Sequence, residues 1–216
     1  MKTRLTLTAI AVLLALTACS DSGPKNRGVY MLIHTSGTYT QELKKAQQII
    51  NAVLAWLNPG DSFAVARIDT GSFSEKDIVA KMTFDERPSV ANQQKRDFVK
   101  RINAFVKKVR PAAYTDITGG ILQASEYLNE KDPGSKVILV FSDLKEDLKK
   151  GYIRDFPLVL DKVEIVALNV TKLRSDNVDP REYMKRLGAW QERVVRSGGA
   201  WRVINDLDRL NRIIRG

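Results

Sequence analysis

Residues 136–143 read Lys-Val-Ile-Leu-Val-Phe-Ser-Asp, an apolar run of strand length that ends in two polar residues. A continuous apolar run of this length is typical of a strand buried on both faces of a parallel sheet. Shorter or similar runs occur at 29–33, 63–68, 163–168 and 200–204. Between them lie stretches with helical spacing of apolar residues, at 39–57, 91–109, 118–128, 180–196 and 206–214. Asn205 is the N-cap candidate of the last of these helices.

This alternation predicts an α/β fold, namely a Rossmann-like, doubly wound and mostly parallel sheet of about six strands with helices on both faces. Turns at Asn58-Pro-Gly-Asp61 and Asp132-Pro-Gly134 separate the elements. Residues 28–216 have the length of one domain. Sheets of this kind bind ligands beyond the carboxyl ends of their strands, so the residues that follow each strand are the candidates for a site.

The first nineteen residues predict export. Lys2 and Arg4 precede an apolar run, Leu5 to Leu16, that is too short to cross a bilayer as a permanent helix and suits a signal-peptide core. The sequence Leu16-Thr-Ala-Cys19 resembles the lipobox of bacterial lipoproteins. That resemblance implies removal of a signal peptide at 1–18, a lipid on Cys19 and a tether over 19–27. The alternative is an ordinary secretory signal with a coincidental cysteine.

Location and charge limit the partners that we expect. Ser20 follows the cysteine. By resemblance to lipoprotein sorting, this implies a lipid-anchored protein of the bacterial cell envelope, at the outer membrane and facing the periplasm. The net charge of +10 would suit anionic lipid headgroups, acidic polysaccharide or an acidic partner protein. Nucleic acid is not expected as a partner, because the basic residues are scattered and no aromatic residues interleave them.

Hydroxyl and carboxylate side chains follow the predicted strands or, in one case, precede the third predicted helix. They occur in the segments His34-Thr-Ser-Gly-Thr38, Asp69-Thr-Gly-Ser72, Tyr114-Thr-Asp116 and Ser142-Asp143. Oxygen ligands of this kind suit a hard divalent cation.

These segments, together with the turn Pro59-Gly-Asp61, resemble the von Willebrand factor type A (VWA) domain over most of residues 28–215. The metal-ion-dependent adhesion site of that family is written Asp-x-Ser-x-Ser, followed by a distant Thr and a distant Asp. Ser36 and Thr38 match the two hydroxyl positions, Thr115 matches the threonine, and Asp143 matches the second aspartate. The resemblance implies a VWA-like domain at 28–216 that binds a protein partner at the carboxyl ends of its strands.

The sequence departs from the family at the first aspartate, where His34 stands. An imidazole removes one negative charge and suits Zn²⁺ better than Mg²⁺ or Mn²⁺. Two interpretations remain open: the site has lost its metal and persists as a hydrogen-bonded relic, or it still binds one. In the second case Asp69 or Asp116 supplies the missing charge, or His34 is itself a ligand. No cofactor is therefore assigned.

The alternative function is a hydrolase in which His34 activates Ser36 near Asp143. Such a triad requires the imidazole to bridge hydroxyl and carboxylate. No Gly-x-Ser-x-Gly motif surrounds Ser36, and the chain contains neither a dinucleotide-binding motif nor a phosphate-binding loop. The sequence therefore favours a non-enzymatic binding or assembly module.

Residues 144–161 mix charged and apolar side chains next to the candidate site. This segment is either a partner-contacting surface or a solvated connection. The adjacent glycines Gly119 and Gly120 begin a predicted helix, where we expect them to allow close packing on the sheet.

Overall fold

The computed structural model describes residues 25–204 and 206–215. The predicted signal peptide, Cys19, most of the tether and Asn205 lie outside the described residues. The sheet is built from β1 (Arg27–His34), β2 (Ser62–Ile68), β3 (Ile78–Thr83), β4 (Ser135–Phe141), β5 (Val163–Leu168) and β6 (Ala200–Ile204). Its order is β3-β2-β1-β4-β5-β6; β3 is antiparallel to β2, and the other neighbouring strands are parallel.

Helices cover both faces of this sheet. In chain order they are α1 (Leu43–Trp56), α2 (Pro88–Lys108), α3 (Ile117–Lys131), α4 (Arg174–Val178), α5 (Pro180–Arg196) and α6 (Leu207–Arg215). A 3₁₀ helix, Gly37–Glu42, precedes α1, and a second, Glu75–Asp77, precedes β3. None of the helices in the described part of the chain is long and apolar enough to cross a membrane.

Two hydrophobic cores hold the layers together. The first packs α1, α2 and α6 on one face of the sheet, around Phe63, Phe98 and Ile50. The second packs α3 and α5 on the opposite face, around Tyr30, Ile121 and further buried residues. Both cores are built from residues between 29 and 214, so the apolar contacts that hold the layers together all lie within this range.

The fold class predicted from the sequence is confirmed. The predicted strands at 163–168 and 200–204 and the helix at 180–196 have the bounds of β5, β6 and α5. The sequence pattern does not predict β3, because this edge strand is only partly buried and lacks a continuous apolar run. The predicted helix at 39–57 begins as a 3₁₀ helix and becomes α-helical only at Leu43.

The parallel strands end together at one edge of the sheet, which we call the carboxyl edge. There β1 ends at His34, β2 at Ile68, β4 at Phe141 and β5 at Leu168. Strand β1 lies between β2 and β4, and the direction of winding reverses between β1 and β4. Ligand sites of doubly wound sheets lie at such a reversal, which places His34 at the expected position.

Candidate functional site

His34 lies at the centre of a cluster of polar side chains at the carboxyl edge. Its Nε2 is 2.5 Å from Ser36 Oγ and 3.1 Å from Thr115 Oγ1. Its Nδ1 is 3.3 Å from Ser142 Oγ and 3.5 Å from Asp143 Oδ1. The side chain of His34 is only 3% exposed, so both nitrogens meet protein groups rather than bulk water.

An aromatic side chain fixes the orientation of this imidazole. The ring of Tyr39, in the 3₁₀ helix after β1, stacks on His34 with centroids 4.9 Å apart and planes at 25°. The Tyr39 hydroxyl donates a 2.6 Å hydrogen bond to the backbone carbonyl of Asn169, which follows β5. Residues after β1 and β5 therefore clamp the ring in one position.

Burial lowers the pKa of His34, and the negative charge of Asp143 opposes this effect only in part. The imidazole is therefore neutral near neutral pH, so one nitrogen donates a hydrogen bond and the other accepts. The arrangement that satisfies both sides has Nδ1–H directed at Ser142 and Asp143, while the one lone pair of Nε2 accepts from the hydroxyl of Ser36, with that of Thr115 as a longer competitor.

Both carboxylate oxygens of Asp116, the residue after Thr115, accept hydrogen bonds from other parts of the domain. It caps α3, since its Oδ1 accepts a 2.8 Å hydrogen bond from the backbone N–H of Gly119. Its Oδ2 accepts from the backbone N–H of Ser72 at 2.9 Å. The guanidinium of Arg154 binds both oxygens, at 3.0 and 2.8 Å, and the aspartate is 1% exposed. Asp116 therefore ties three segments of the carboxyl edge together.

Two further predicted site residues are Asp69 and Thr38. Asp69 Oδ2 is 3.0 Å from Arg67 Nη2, and its Oδ1 accepts from the backbone N–H of Thr70 at 2.6 Å. Thr38 belongs to the 3₁₀ helix Gly37–Glu42, but its side chain lies outside the described part of the structure. Each carboxylate that the sequence suggested as a substitute for the missing aspartate is thus paired with an arginine, Asp116 with Arg154 and Asp69 with Arg67, which also binds Asp77.

Solved structures with a similar fold are known, although comparison of the sequence alone finds no relative. The sequence matches no family model and no curated protein. Among solved structures, a von Willebrand factor type A protein from Catenulispora acidiphila matches with a TM-score of 0.52 at 15% identity, over 89% of this chain and 41% of that chain. The pilus adhesin SpaC from Lactobacillus rhamnosus GG, in its open conformation, matches with a TM-score of 0.53 at 9% identity, over 88% of this chain and 29% of that chain.

The chain has a von Willebrand factor A-like fold. The resemblance seen in the sequence is confirmed at the level of the fold. The VWA-like domain spans less than half the length of either matched protein. At these identities the likeness concerns the fold alone.

The polar cluster of the VWA-like domain does not fit a hard divalent cation. Where the family pattern has a carboxylate, the domain has a neutral imidazole, and the hydroxyls of Ser36 and Thr115 are hydrogen-bonded to its Nε2. Asp143 is the carboxylate in contact with His34. Affinity for hard cations rises with the negative charge of the ligands, and this set supplies one carboxylate, which is already paired with the imidazole. Across residues 25–204 and 206–215, no group of three or more His, Cys, Asp or Glu side chains is placed to hold a metal ion.

Several contacts of the site could not be predicted from sequence patterns. Arg154 lies 38 residues after its partner Asp116, in a segment without regular secondary structure. Asn169 and Tyr39 meet only because β1 and β5 end at the same edge of the sheet. Ser142 follows a strand and could be found by its position, but its contact with the imidazole could not.

Large apolar side chains are exposed beside this cluster. The ring of Tyr152 lies against Gly71, where an added Cβ would be 2.6 Å from Tyr152 Cε1. Its neighbour Ile153 is 72% exposed, and Phe73, two residues after Gly71, is 46% exposed. We call Phe73, Tyr152 and Ile153 the apolar rim. Arg154, bound to Asp116, holds the rim at the carboxyl edge.

Proposed function

We propose that the VWA-like domain is a non-enzymatic binding module whose carboxyl edge receives a protein partner, in adhesion or assembly at the cell envelope. The observation that carries the proposal is the apolar rim. Exposed apolar groups held on a rigid support, next to one another, are typical of protein interaction sites. The rim contains two aromatic residues and an isoleucine, and the buried Asp116–Arg154 ion pair supports it.

The charge around the rim favours an acidic partner. On the segment that leads from β4 to Tyr152 the exposed charged residues are Lys145, Lys149 and Lys150 against the single carboxylate of Asp147, while Asp143 and Glu146 are half-buried. Positive charge bordering an apolar centre attracts a partner whose contact surface is acidic at its periphery. The segment 144–161 is then a partner-contacting surface, which is one of the two interpretations that its sequence allowed.

Location and anchoring remain part of the proposal. We place the domain in the bacterial envelope, held by a lipid on Cys19 at the outer membrane and facing the periplasm. The support is the resemblance of residues 1–19 to a lipoprotein signal. A pilus adhesin among the fold relatives is compatible with a role in adhesion.

Affinity capture from an envelope fraction tests the binding site. Phe73→Asp and Ile153→Asp should each abolish capture of the partner, because a carboxylate would have to be buried in an apolar contact. The matched control is Val195→Asp, which alters a residue that is 57% exposed on α5, far along the chain from the rim. Equal capture by all four proteins would contradict the proposal.

Metal dependence is tested separately by calorimetric titration of residues 25–216 with Mg²⁺, Mn²⁺ and Zn²⁺, with His34→Asp alongside. We expect no saturable binding of Mg²⁺ or Mn²⁺ by the unmodified domain, and partner capture should persist in the presence of a chelator. Saturable Mg²⁺ or Mn²⁺ binding would show that the altered site is still a hard-cation site. Zinc binding that His34→Gln abolishes would make His34 a ligand.

One geometric observation favours the hydrolase as a second candidate. Ser36 Oγ, the two nitrogens of His34, and Asp143 Oδ1 follow one another in the order of a catalytic triad, with separations of 2.5 and 3.5 Å. Thr115 competes for the same Nε2, however, and the contact with Asp143 is long. A serine-directed fluorophosphonate should therefore leave Ser36 unlabelled. Labelling that Ser36→Ala removes would support an esterase instead.

A further inference from the structure

Helices α1 and α2 pack on the same face of the sheet and carry charge of almost one sign. Their only acidic residue is Asp97, whereas eight residues are basic. We call these eight the basic face: Lys44, Lys45, Lys95, Arg96, Lys100, Arg101, Lys107 and Lys108. On the opposite face of the sheet, α3 and α5 together carry six basic and four acidic residues.

Most of this charge is not neutralised within the domain. Lys100 pairs with Asp97 at 2.8 Å, and the pair is exposed. Lys44, Arg101, Lys107 and Lys108 are exposed and have no ionic partner within the described residues. Crowded like charges repel one another and destabilise a fold. Stability of the domain therefore gives no reason for this concentration, which points to an anionic ligand outside the chain.

The kind of basic residue indicates which ligand. Six of the eight are lysines, and none of the large apolar side chains exposed in the described residues lies on α1 or α2. Protein interfaces are depleted in lysine and enriched in aromatic residues and arginine. Lysine is a flexible point charge that does not require a partner of fixed geometry. Mobile anionic headgroups in a bilayer provide such a partner.

The dimensions of the face agree with a bilayer surface. From Lys95 to Lys108 the charges extend along α2 for about 20 Å, at 1.5 Å per residue. Charge spread over this length matches a flat surface of lipids. The cavity between α1 and α2, lined by Leu54, Val99 and the stems of Lys95 and Lys100, is shallow and mostly apolar, so it does not suit a small anion. We propose that the basic face docks the VWA-like domain on a bilayer that contains anionic phospholipids.

This docking surface is separate from the proposed partner site. The segment that carries Tyr152 and Ile153 continues into Leu158 and Leu160, which pack in the core on the α3 and α5 side of the sheet. The basic face covers the opposite core. The domain can therefore contact a membrane and a protein partner at the same time, and failure of one proposal leaves the other unaffected.

Vesicle sedimentation with residues 25–216 tests the proposal. The domain should bind vesicles made of equal parts phosphatidylglycerol and phosphatidylcholine, bind phosphatidylcholine alone far more weakly, and lose affinity as salt rises. Each basic residue near an anionic surface contributes about fivefold in affinity, so removing four should weaken binding by at least about 100-fold. The test variant combines Lys100→Gln, Arg101→Gln, Lys107→Gln and Lys108→Gln.

The matched control removes the same charge from exposed residues of α3, α4 and α5, on the other side of the molecule. It combines Lys131→Gln, Arg174→Gln, Lys185→Gln and Arg196→Gln. The control should retain most of the binding, and circular dichroism should show both variants folded. Equal losses in the two variants would mean that net charge alone acts, which overturns the proposal. Failure to bind anionic vesicles would also overturn the proposal. Binding of polyglutamate in preference to the vesicles would overturn it as well, and would indicate that the basic face binds an acidic protein.

Discussion

Asp116→Ala removes a carboxylate that three separate segments of the domain share. The side chain caps α3, accepts a hydrogen bond from Ser72 and pairs with Arg154 through both oxygens. All of these contacts are buried, since Asp116 is 1% exposed and the side chain of Arg154 is 15% exposed. The substitution therefore leaves several buried polar groups without a hydrogen-bond partner.

The size of the effect can be worked out from these contacts. Loss of the helix cap costs about 1 kcal/mol. Leaving a buried guanidinium without its carboxylate costs about 3–5 kcal/mol. The two contributions share one side chain and do not add fully, so we expect the free energy of unfolding to fall by about 4–5 kcal/mol. That is a large part of the roughly 5–15 kcal/mol by which a domain of this kind is stable.

Urea unfolding of residues 25–216, followed by circular dichroism, measures this loss. Arg181→Ala is the control, because it breaks an ion pair with Asp179 in which the arginine is 88% exposed, and it should cost less than about 1 kcal/mol. Adding Arg154→Met to Asp116→Ala should restore part of the stability by removing the stranded charge. A loss below about 1.5 kcal/mol, or no recovery in the double variant, would refute our account of the carboxyl edge.

Three further predictions concern stability. The free energy of unfolding should fall as the pH drops below about 6.5, because burial lowers the pKa of His34 in the folded domain and the unfolded chain therefore takes up the proton first. In urea titrations between pH 7 and pH 5, His34→Gln should reduce the dependence of this free energy on pH by up to about 1.4 kcal/mol per pH unit. Gly188→Ala should raise the stability by about 0.5–1 kcal/mol in thermal unfolding, since the new Cβ in the middle of α5 meets nothing within 4 Å. Gly28→Ala should lower it by about 1–3 kcal/mol by the same measurement, because a Cβ there would lie 2.6 Å from Pro133 Cγ and 2.7 Å from Leu128 Cδ2. An unchanged pH slope, or equal effects of the two alanines, would contradict the packing described above.

The fold could be predicted from sequence because its parallel strands are buried on both faces. Such strands are continuous apolar runs, as at 136–141, and their bounds are easily seen. Strand β3 has no such run, since it lies at the edge of the sheet and contains the exposed Lys81. The short helix α4 also has too few residues for a periodic pattern.

The candidate site could be predicted only in part. The rule that polar residues after neighbouring parallel strands meet at one edge brings Ser36 and Asp143 to His34. Thr115 precedes α3 and is placed at the site by the family resemblance. The rule says nothing about which carboxylates are already paired. Asp116 had the right position to supply charge, but its neutralisation by Arg154 depends on the path of an irregular segment, which no local pattern encodes.

The central position of β1 has a mechanical consequence. The chain enters the sheet at Arg27, at the edge opposite the carboxyl edge, and seven residues of β1 pair with parallel neighbours on each side. A pull on the chain before Arg27, opposed by a load on the carboxyl edge, acts along the strand. The hydrogen bonds on both sides of β1 would then bear the force in shear, all together, whereas bonds at the end of a hairpin open one after another. A domain that is tethered before β1 and bound to a partner at its carboxyl edge would thus be pulled along the direction in which it best resists unfolding.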